Sequence, residues 1–89
     1  MPEREVKIIN KLGIHARPAA EIVKAAGKFR SSITIVRDDL EVNAKSIMGV
    51  MMLAAEYGAT LVLRADGADA EAAVAALATL IESKFGEST

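Results

Sequence analysis

The only histidine of the chain lies in the segment "NKLGIHARPAAEIV", between Gly13 and a pair formed by Arg17 and Pro18. An imidazole is substantially neutral near pH 7 and can attack an electrophilic phosphorus, and a phosphoryl group on its nitrogen remains transferable. The guanidinium of an arginine presents a planar fork that fits phosphate oxygens. These residue types at this spacing therefore predict a site for an anionic, transferable group on His15, with Arg17 as its charge partner.

The proline fixes where the following helix begins. Proline is tolerated in the first helical turn, so the helix must start at or just after His15. A helix start presents backbone N–H groups and the positive end of the macrodipole, which together bind anions. Because Pro18 has no N–H, the N–H groups of Ala16 and Arg17 are the expected phosphate donors. On residue types alone, it stays open whether His15 instead caps the helix or fills a gap.

The elements that position this site follow from the spacing of apolar residues. Period-2 and period-3.6 patterns predict a strand at 4–10, a helix from 16 to 27, a hairpin at 32–43, a short helix from 47 to about 55, a strand at 60–65 and a helix at 70–85. This βαββαβα order predicts an α+β fold, a two-layer open-faced β-sandwich with a four-stranded antiparallel sheet and three helices on one face. We expect residues 1–89 to form a single domain.

Several local features refine this expectation. Leu40 and Val42 should point inward from the hairpin. Ser46 and Asp69 occupy positions where they are expected to cap the second and third helices. Gly49 inside the short helix costs roughly 1 kcal/mol relative to alanine, which either a closely approaching partner or close packing would explain.

Composition excludes several classes of function. Without cysteine and with one histidine, the chain has neither a disulfide framework nor the residues of a usual zinc cluster, and we expect no metal site. Aromatic residues make up 3%, there is no GxxG loop, and the net charge is −1, so a nucleic-acid-binding domain of similar strand and helix order is disfavoured. No apolar run is long enough for a membrane span, and the N-terminal segment is charged, so we expect a soluble cytoplasmic protein.

Charge is unevenly distributed along the chain. Residues 1 to 45 hold nine Lys/Arg and six Asp/Glu, whereas residues 46 to 89 hold two and six. The basic half contains His15, so a local positive field can attract anions or an acidic partner there. The alternative is that these lysines are simply solvated on helix surfaces.

Two segments of the chain resemble HPr, the histidine-containing phosphocarrier family of the bacterial phosphotransferase system. "GIHARPAAEIV" is similar to the phosphohistidine signature of that family, and the likeness continues through "NAKSIMGVMMLAA". In length and element order it covers essentially the whole chain. The residues that carry the resemblance are Gly13, His15, Arg17, Pro18 and Ala19, followed by Lys45, Ser46 and Ile47.

The resemblance implies a role for each residue of the histidine segment. His15 would accept a phosphoryl group through Nδ1 from Enzyme I, which phosphoenolpyruvate charges, and pass it to enzyme II A domains in sugar uptake. Arg17 would stabilise the charge of the transferred group. The carrier itself would bind no cofactor, because phosphoenolpyruvate and magnesium belong to Enzyme I.

The resemblance also implies a regulatory site and a docking surface. Ser46 would be phosphorylated by HPr kinase/phosphorylase, which places negative charge at a helix start. Partners would dock on side chains of the first and second helices, namely Ala20, Lys24, Ile47, Met48 and Met51. On pattern alone, the apolar residues of the short helix could equally all be core, although they offer more apolar surface than one sheet contact can cover.

The resemblance leaves open the contacts at residue 12 and the pathway in which the protein acts. Leu12 stands where many family members carry a small polar residue, so it cannot help to position the imidazole or the phosphate. "NKLGIHARPA" also resembles the nitrogen-related branch, whose carrier serves a regulatory phosphorelay without sugar transport. A regulatory adaptor switched only at Ser46 is a further alternative. We expect the protein to act as a monomer.

Overall fold

Residues 2–86 are described by a computed structural model, in which four strands and three α-helices follow one another in the predicted order. The βαββαβα order is therefore confirmed. The elements are β1 (Glu3–Lys7), α1 (Ala16–Ala26), β2 (Ser32–Arg37), β3 (Leu40–Asn43), α2 (Ile47–Met52), β4 (Thr60–Asp66) and α3 (Ala70–Glu82), and a short 3-10 turn, Lys84–Gly86, follows α3.

The four strands form one antiparallel sheet in the order β1-β4-β2-β3. Ile33, Ile35, Leu61 and Leu63 alternate along β2 and β4 on the buried face. The opposite face is mostly polar apart from Val36 and Val62, and Arg64 there forms ion pairs with the Glu3 and Glu41 carboxylates of the two edge strands. The predicted open-faced sandwich, with helices covering one side of the sheet, is confirmed.

Aliphatic side chains from the helices fill the space above the sheet. α3 buries Leu77 and Ile81, and α1 buries Ile22, together with several alanines on the same helix faces. Full burial of one leucine or isoleucine side chain stabilises a fold by about 1.5–3 kcal/mol. Alanine adds little volume, so the two long helices approach the sheet and each other closely.

Two element ends differ from the predicted ones. β1 stops at Lys7 rather than residue 10, because Ile8 exchanges backbone hydrogen bonds with Gly58 and Ala59, in the loop before β4, at 2.8 and 2.9 Å. α2 stops at Met52 rather than near residue 55, since Ala54 adopts a left-handed φ of 47° that ends the helical path.

Leu40 and Val42 both point to the helix side of the sheet, as predicted, but only Val42 is buried. Leu40 lies at the tip of edge strand β3, and 36% of it is exposed.

The last helix, α3, ends at Glu82 rather than at residue 85, because Lys84 and Phe85 both have positive φ. Phe85 thereby turns back into the core and is 4% exposed.

The predicted cap by Asp69 is also wrong. Asp69 occupies the N-cap position of α3, but its carboxylate makes no capping bond. It accepts hydrogen bonds from the Ser31 hydroxyl and from the backbone N–H groups of Arg30 and Ser31. These bonds, above all that of the Ser31 hydroxyl, lower the pKa of Asp69 from 3.8 to about 2. They join the start of β2 to the start of α3.

This junction predicts an acid-dependent loss of stability. The folded-state pKa of Asp69 lies below its ordinary value. The ionised carboxylate therefore contributes fully to the free energy of unfolding above about pH 4, and this contribution is lost as the pH falls towards 2. Ser31→Ala raises that pKa, and the difference in unfolding free energy between wild type and variant should therefore shrink between pH 4 and pH 2. Urea denaturation at several pH values measures it.

Ser83→Ala is the matched control, because the Ser83 hydroxyl bonds the backbone carbonyl of Leu80 and no carboxylate. Its effect on the unfolding free energy should not change over the same pH range. A difference between wild type and Ser31→Ala that stays constant from pH 4 to pH 2 would contradict the assignment of this junction as a charge-dependent contact.

Candidate functional site

His15 is the residue at which α1 begins. Its backbone is extended, with φ −98° and ψ −169°, and its carbonyl accepts the first helical hydrogen bond from Ala19 at 3.0 Å. The imidazole makes no capping bond to the helix and is half-buried. The alternative that His15 serves as a side-chain cap is therefore wrong, and the imidazole lies at the positive end of the α1 dipole.

The turn before His15 is held against the loop that follows α2. Gly13 has φ +67°, and the N–H of Ile14 donates to the carbonyl of Ala55 at 2.8 Å. The buried side chain of Asn10 donates to the carbonyl of Gly13 at 2.8 Å. A Cβ on Gly13 would lie 2.5 Å from the Ala55 oxygen, so only glycine fits here. Backbone packing thus fixes the chain immediately before the histidine.

The residues after His15 form the first turn of α1, as the proline predicts. Ala16 is the first helical residue, and Pro18 is buried in the same turn. The N–H groups of Ala16 and Arg17 precede the first helical hydrogen bond, so they point out of the helix start near the imidazole. Arg17 is exposed, and its Nη1 donates to the carbonyl of Phe85 at 3.4 Å. The predicted nucleophile, backbone donors and cation therefore belong to consecutive residues at the start of α1, and the Arg17 guanidinium extends to the turn after α3.

The second predicted group of residues lies on α2 and on the exposed side of α1. Ile47 and Met51 are 45% and 43% exposed, and Met48 and Met52 are 72% and 62% exposed. We call these four residues the methionine surface. Since they are largely exposed, the alternative that all apolar residues of this helix are core is wrong; Val50 alone within α2 is buried. α1 packs against α2, and its residues Ala20 and Lys24 are exposed as well.

Ser46 caps α2, as predicted. Its hydroxyl oxygen accepts a hydrogen bond from the N–H of Gly49 at 3.1 Å. A Cβ on Gly49 would lie 3.3 Å from the carbonyl oxygen of Asn43 and from the Cβ of Val42. Close packing of α2 on β3 therefore accounts for this glycine, and a partner is not needed to explain it.

Besides the backbone contact between Ile14 and Ala55, three side-chain contacts around the site were not predicted from the sequence. The first is the hydrogen bond from the Asn10 side chain to the Gly13 carbonyl. Asparagine and glycine are typical turn residues, so their spacing could have predicted this turn. Lys45 Nζ donates to the carbonyl of Phe29 at 2.8 Å and holds the start of α2 against the end of α1. The Phe85 carbonyl reaches Arg17 because of the turn after α3, for which the sequence has no local signal. Leu12 is 70% exposed beside Gly13.

Two further features are absent from residues 2–86, the part of the chain that the structure describes. Within this range, no three or more His, Cys, Asp and Glu side chains are grouped so that they could hold a metal ion. None of the helices in the same range is both long and apolar enough to cross a membrane.

The comparisons with known proteins agree with this geometry. Residues 2–83 match the family described as PTS HPr component phosphorylation site. The chain is 51% identical over 87 residues to the phosphocarrier protein HPr of Cupriavidus necator, covering 98% of both chains. The structure of HPr-C-His from Thermoanaerobacter tengcongensis has a TM-score of 0.96 at 52% identity and full coverage of both chains. The protein therefore belongs to the HPr phosphocarrier family of the phosphotransferase system.

Two further relatives bear on pathway and assembly. The phosphocarrier protein NPr of Shewanella violacea is 41% identical over 87 residues, which are 98% of this chain and 96% of that one. A structure described as an HPr dimer from Thermoanaerobacter tengcongensis has a TM-score of 0.79 at 53% identity and covers 98% of this chain and all of the other. The family thus includes carriers of more than one name and chains that form dimers.

The packing of Gly13 predicts a sharp difference between two glycine substitutions. Gly13→Ala combines a positive φ with a steric clash, whereas Gly58→Ala has φ +89° but no atom within 4 Å of the added Cβ. A left-handed φ costs an L-residue about 1–2 kcal/mol, and the clash adds about 1–3 kcal/mol. We expect Gly13→Ala to lower the unfolding free energy more than Gly58→Ala does. The difference between the two variants should be about the 1–3 kcal/mol of the clash, because both share the cost of the left-handed φ. Equal losses in urea denaturation would contradict this account.

Proposed function

We propose that the protein is the phosphocarrier that accepts a phosphoryl group on His15 from phosphorylated Enzyme I and passes it to enzyme II A domains in sugar uptake. The observation that carries this proposal is the position of a half-buried imidazole at the start of α1, with an arginine in the first helical turn. Nδ1 of His15 attacks phosphorus, and the bond between phosphorus and the donor breaks as the new N–P bond forms. The reverse exchange delivers the group to the acceptor.

Electrostatic stabilisation at the helix start supports this transfer. The N–H groups of Ala16 and Arg17 and the positive end of α1 face the phosphoryl oxygens, and the Arg17 guanidinium neutralises their charge. Phosphoryl transfer depends mainly on such positioning and charge, so a small domain without a deep cleft can perform it. Many family members carry a small polar residue at position 12, which can contact the imidazole or the phosphate. Leu12 has no polar group and makes no such contact.

Docking is assigned to the surface around the helix start. The exposed Ile47, Met48 and Met51 offer an adaptable apolar surface to a partner, and Ala20 leaves α1 open to close approach. Lys24 adds a positive charge that fits an acidic rim on Enzyme I or an enzyme II A domain.

Ser46 is assigned a regulatory role, with HPr kinase/phosphorylase as the modifying enzyme. A phosphate on the hydroxyl would lie at the start of α2, where the N–H groups and the dipole tolerate negative charge. The same phosphate would stand next to Ile47, at the edge of the methionine surface. It would therefore weaken docking of an acidic partner while leaving the fold intact.

Two alternatives differ in pathway or in class. The NPr relative favours a nitrogen-branch phosphocarrier in a regulatory phosphorelay without sugar transport. Supplying purified enzyme II A domains of each branch to the phosphorylated protein separates the two, since only the cognate domain removes the label rapidly. A regulatory adaptor switched only at Ser46 would carry no phosphohistidine.

The proposal includes the compartment, the domain and the oligomeric state of the protein. We place it in the cytoplasm, as one HPr domain over residues 1–89 that acts as a monomer. The open sheet face carries mostly polar side chains besides the half-buried Val36 and Val62, and Arg64 pairs there with Glu3, so this face offers little apolar surface to a second copy.

Incubation with Enzyme I and phosphoenolpyruvate is expected to add one phosphoryl group that is lost in acid and kept in base, because phosphohistidine has this lability. His15→Ala should take up none. Ser46→Asn, which keeps the helix cap but has no hydroxyl, should be labelled like the wild type. Labelling of His15→Ala, or a label that resists acid, would contradict the assignment and favour the adaptor.

Ser46→Asp is expected to slow phosphotransfer from Enzyme I by about tenfold, through the charge it adds beside the methionine surface. Ser46→Asn is the matched control, since asparagine caps a helix as well as aspartate and has no charge. Transfer rates and thermal unfolding of both variants measure the effect. If the two variants transfer equally fast, charge at this position does not regulate docking.

A further inference from the structure

Arg37 occupies a position in β2 where the strand pattern calls for an apolar residue. Ile33 and Ile35 point to the helix side of the sheet and are buried, and the period of two places Arg37 on the same side at the end of the strand. Its side chain is 26% exposed. A guanidinium drawn towards the core in this way must find hydrogen-bond acceptors, because burying it without them is costly.

The acceptors lie at the end of α2 and in the segment that follows. Nη1 of Arg37 donates to the carbonyls of Leu53 and Ala54 at 3.0 and 2.9 Å, and Nη2 bonds the carboxylate of Glu56. Leu53 is the C-cap residue of α2, and the last turn of that helix contains no basic residue of its own. Arg37 thus supplies, from another element, the positive charge that a helix C-terminus favours.

The helix that Arg37 closes is too short to be stable alone. α2 has six residues, well below the length at which isolated helices persist in water. Ser46 closes its start and Arg37 its end, and Val50 anchors its middle in the core. Ser46, Val50 and Arg37 together therefore hold the orientation of the methionine surface.

The same segment holds the turn before the histidine. Ala55 lies between two residues that Arg37 bonds, and its carbonyl accepts the hydrogen bond of the Ile14 N–H. Any movement of this segment displaces the acceptor of the N–H of Ile14, the residue immediately before His15. Arg37 therefore bonds the end of α2 directly and acts on the turn before His15 through this segment.

We propose that Arg37 is a positioning residue for phosphotransfer, which fixes the methionine surface and the turn at Gly13 and Ile14 relative to each other. It does not contact the phosphoryl group, and it acts through the segment from Leu53 to Glu56. This inference rests on the proposed phosphocarrier function for its effect on transfer, whereas its structural effect is independent of that function.

The experiment compares Arg37→Met with the wild type by two readouts. Amide hydrogen exchange should be about tenfold faster at Ile14 and change less than about twofold in the backbone amides of β4, because only the local segment is released. In transfer from phosphorylated Enzyme I, KM should rise about threefold to tenfold with kcat nearly unchanged, since docking geometry and not the imidazole is disturbed.

Arg64→Met is the matched control. Arg64 is 33% exposed and bonds the carboxylates of Glu3 and Glu41 on the open sheet face, away from α2. We expect Arg64→Met to change neither the hydrogen-exchange rate of the Ile14 amide nor the KM of transfer from phosphorylated Enzyme I. Arg37→Lys keeps the charge without the fork and should give an intermediate effect, and it serves as the test variant if Arg37→Met does not fold.

The outcomes separate the two levels of the proposal. Unchanged Ile14 exchange in Arg37→Met, or equal acceleration in Arg64→Met, would overturn the positioning role. An unchanged KM with faster Ile14 exchange would overturn its connection to transfer. If the wild type accepts no phosphoryl group although Ile14 exchange responds as expected, the phosphocarrier function fails and the contact of Arg37 with this segment stands.

Discussion

The backbone contact of residues 13 and 14 with the Ala55 carbonyl is the constraint on which the functional surface depends. It joins the turn before α1 to the loop after α2 by a 2.8 Å hydrogen bond and by an approach that leaves no room for a Cβ. Both partners are backbone atoms, so the distance does not vary with side-chain rotamers. The imidazole and the methionine surface, which lie on different helices, are thereby held in one arrangement.

Polar contacts between distant segments stabilise the parts of the fold that the apolar core does not reach. The core lies between the sheet and the long helices, whereas α2 has one buried residue within its bounds. Arg37 bonds backbone carbonyls at the end of α2, and Lys45, just before α2, bonds the carbonyl of Phe29 in the loop after α1. Asp69 joins the starts of β2 and α3. These bonds satisfy helix ends and loops that would otherwise fray, at positions where hydrophobic burial contributes little.

The sequence predicts the order and type of the elements because their apolar spacing is local and regular, and Pro18 gives the start of α1. His15, Arg17 and the Ser46 cap follow from the same local signals. The early end of β1, the turn at Phe85, the role of Asp69 and the reach of Arg37 could not be predicted. Each depends on a partner far along the chain: the Asp69 carboxylate bonds Ser31, and Arg17 bonds the Phe85 carbonyl, at separations of 38 and 68 residues.

The methionine surface also has a chemical consequence. The chain contains no cysteine, so methionine sulfur is its most readily oxidised group, and on α2 three such sulfurs stand on exposed side chains. Conversion to sulfoxide replaces a flexible apolar group by a strongly polar one. An oxidant would therefore change the face offered to other proteins while leaving the imidazole, the core and the sheet as they are, and a methionine sulfoxide reductase would reverse the change.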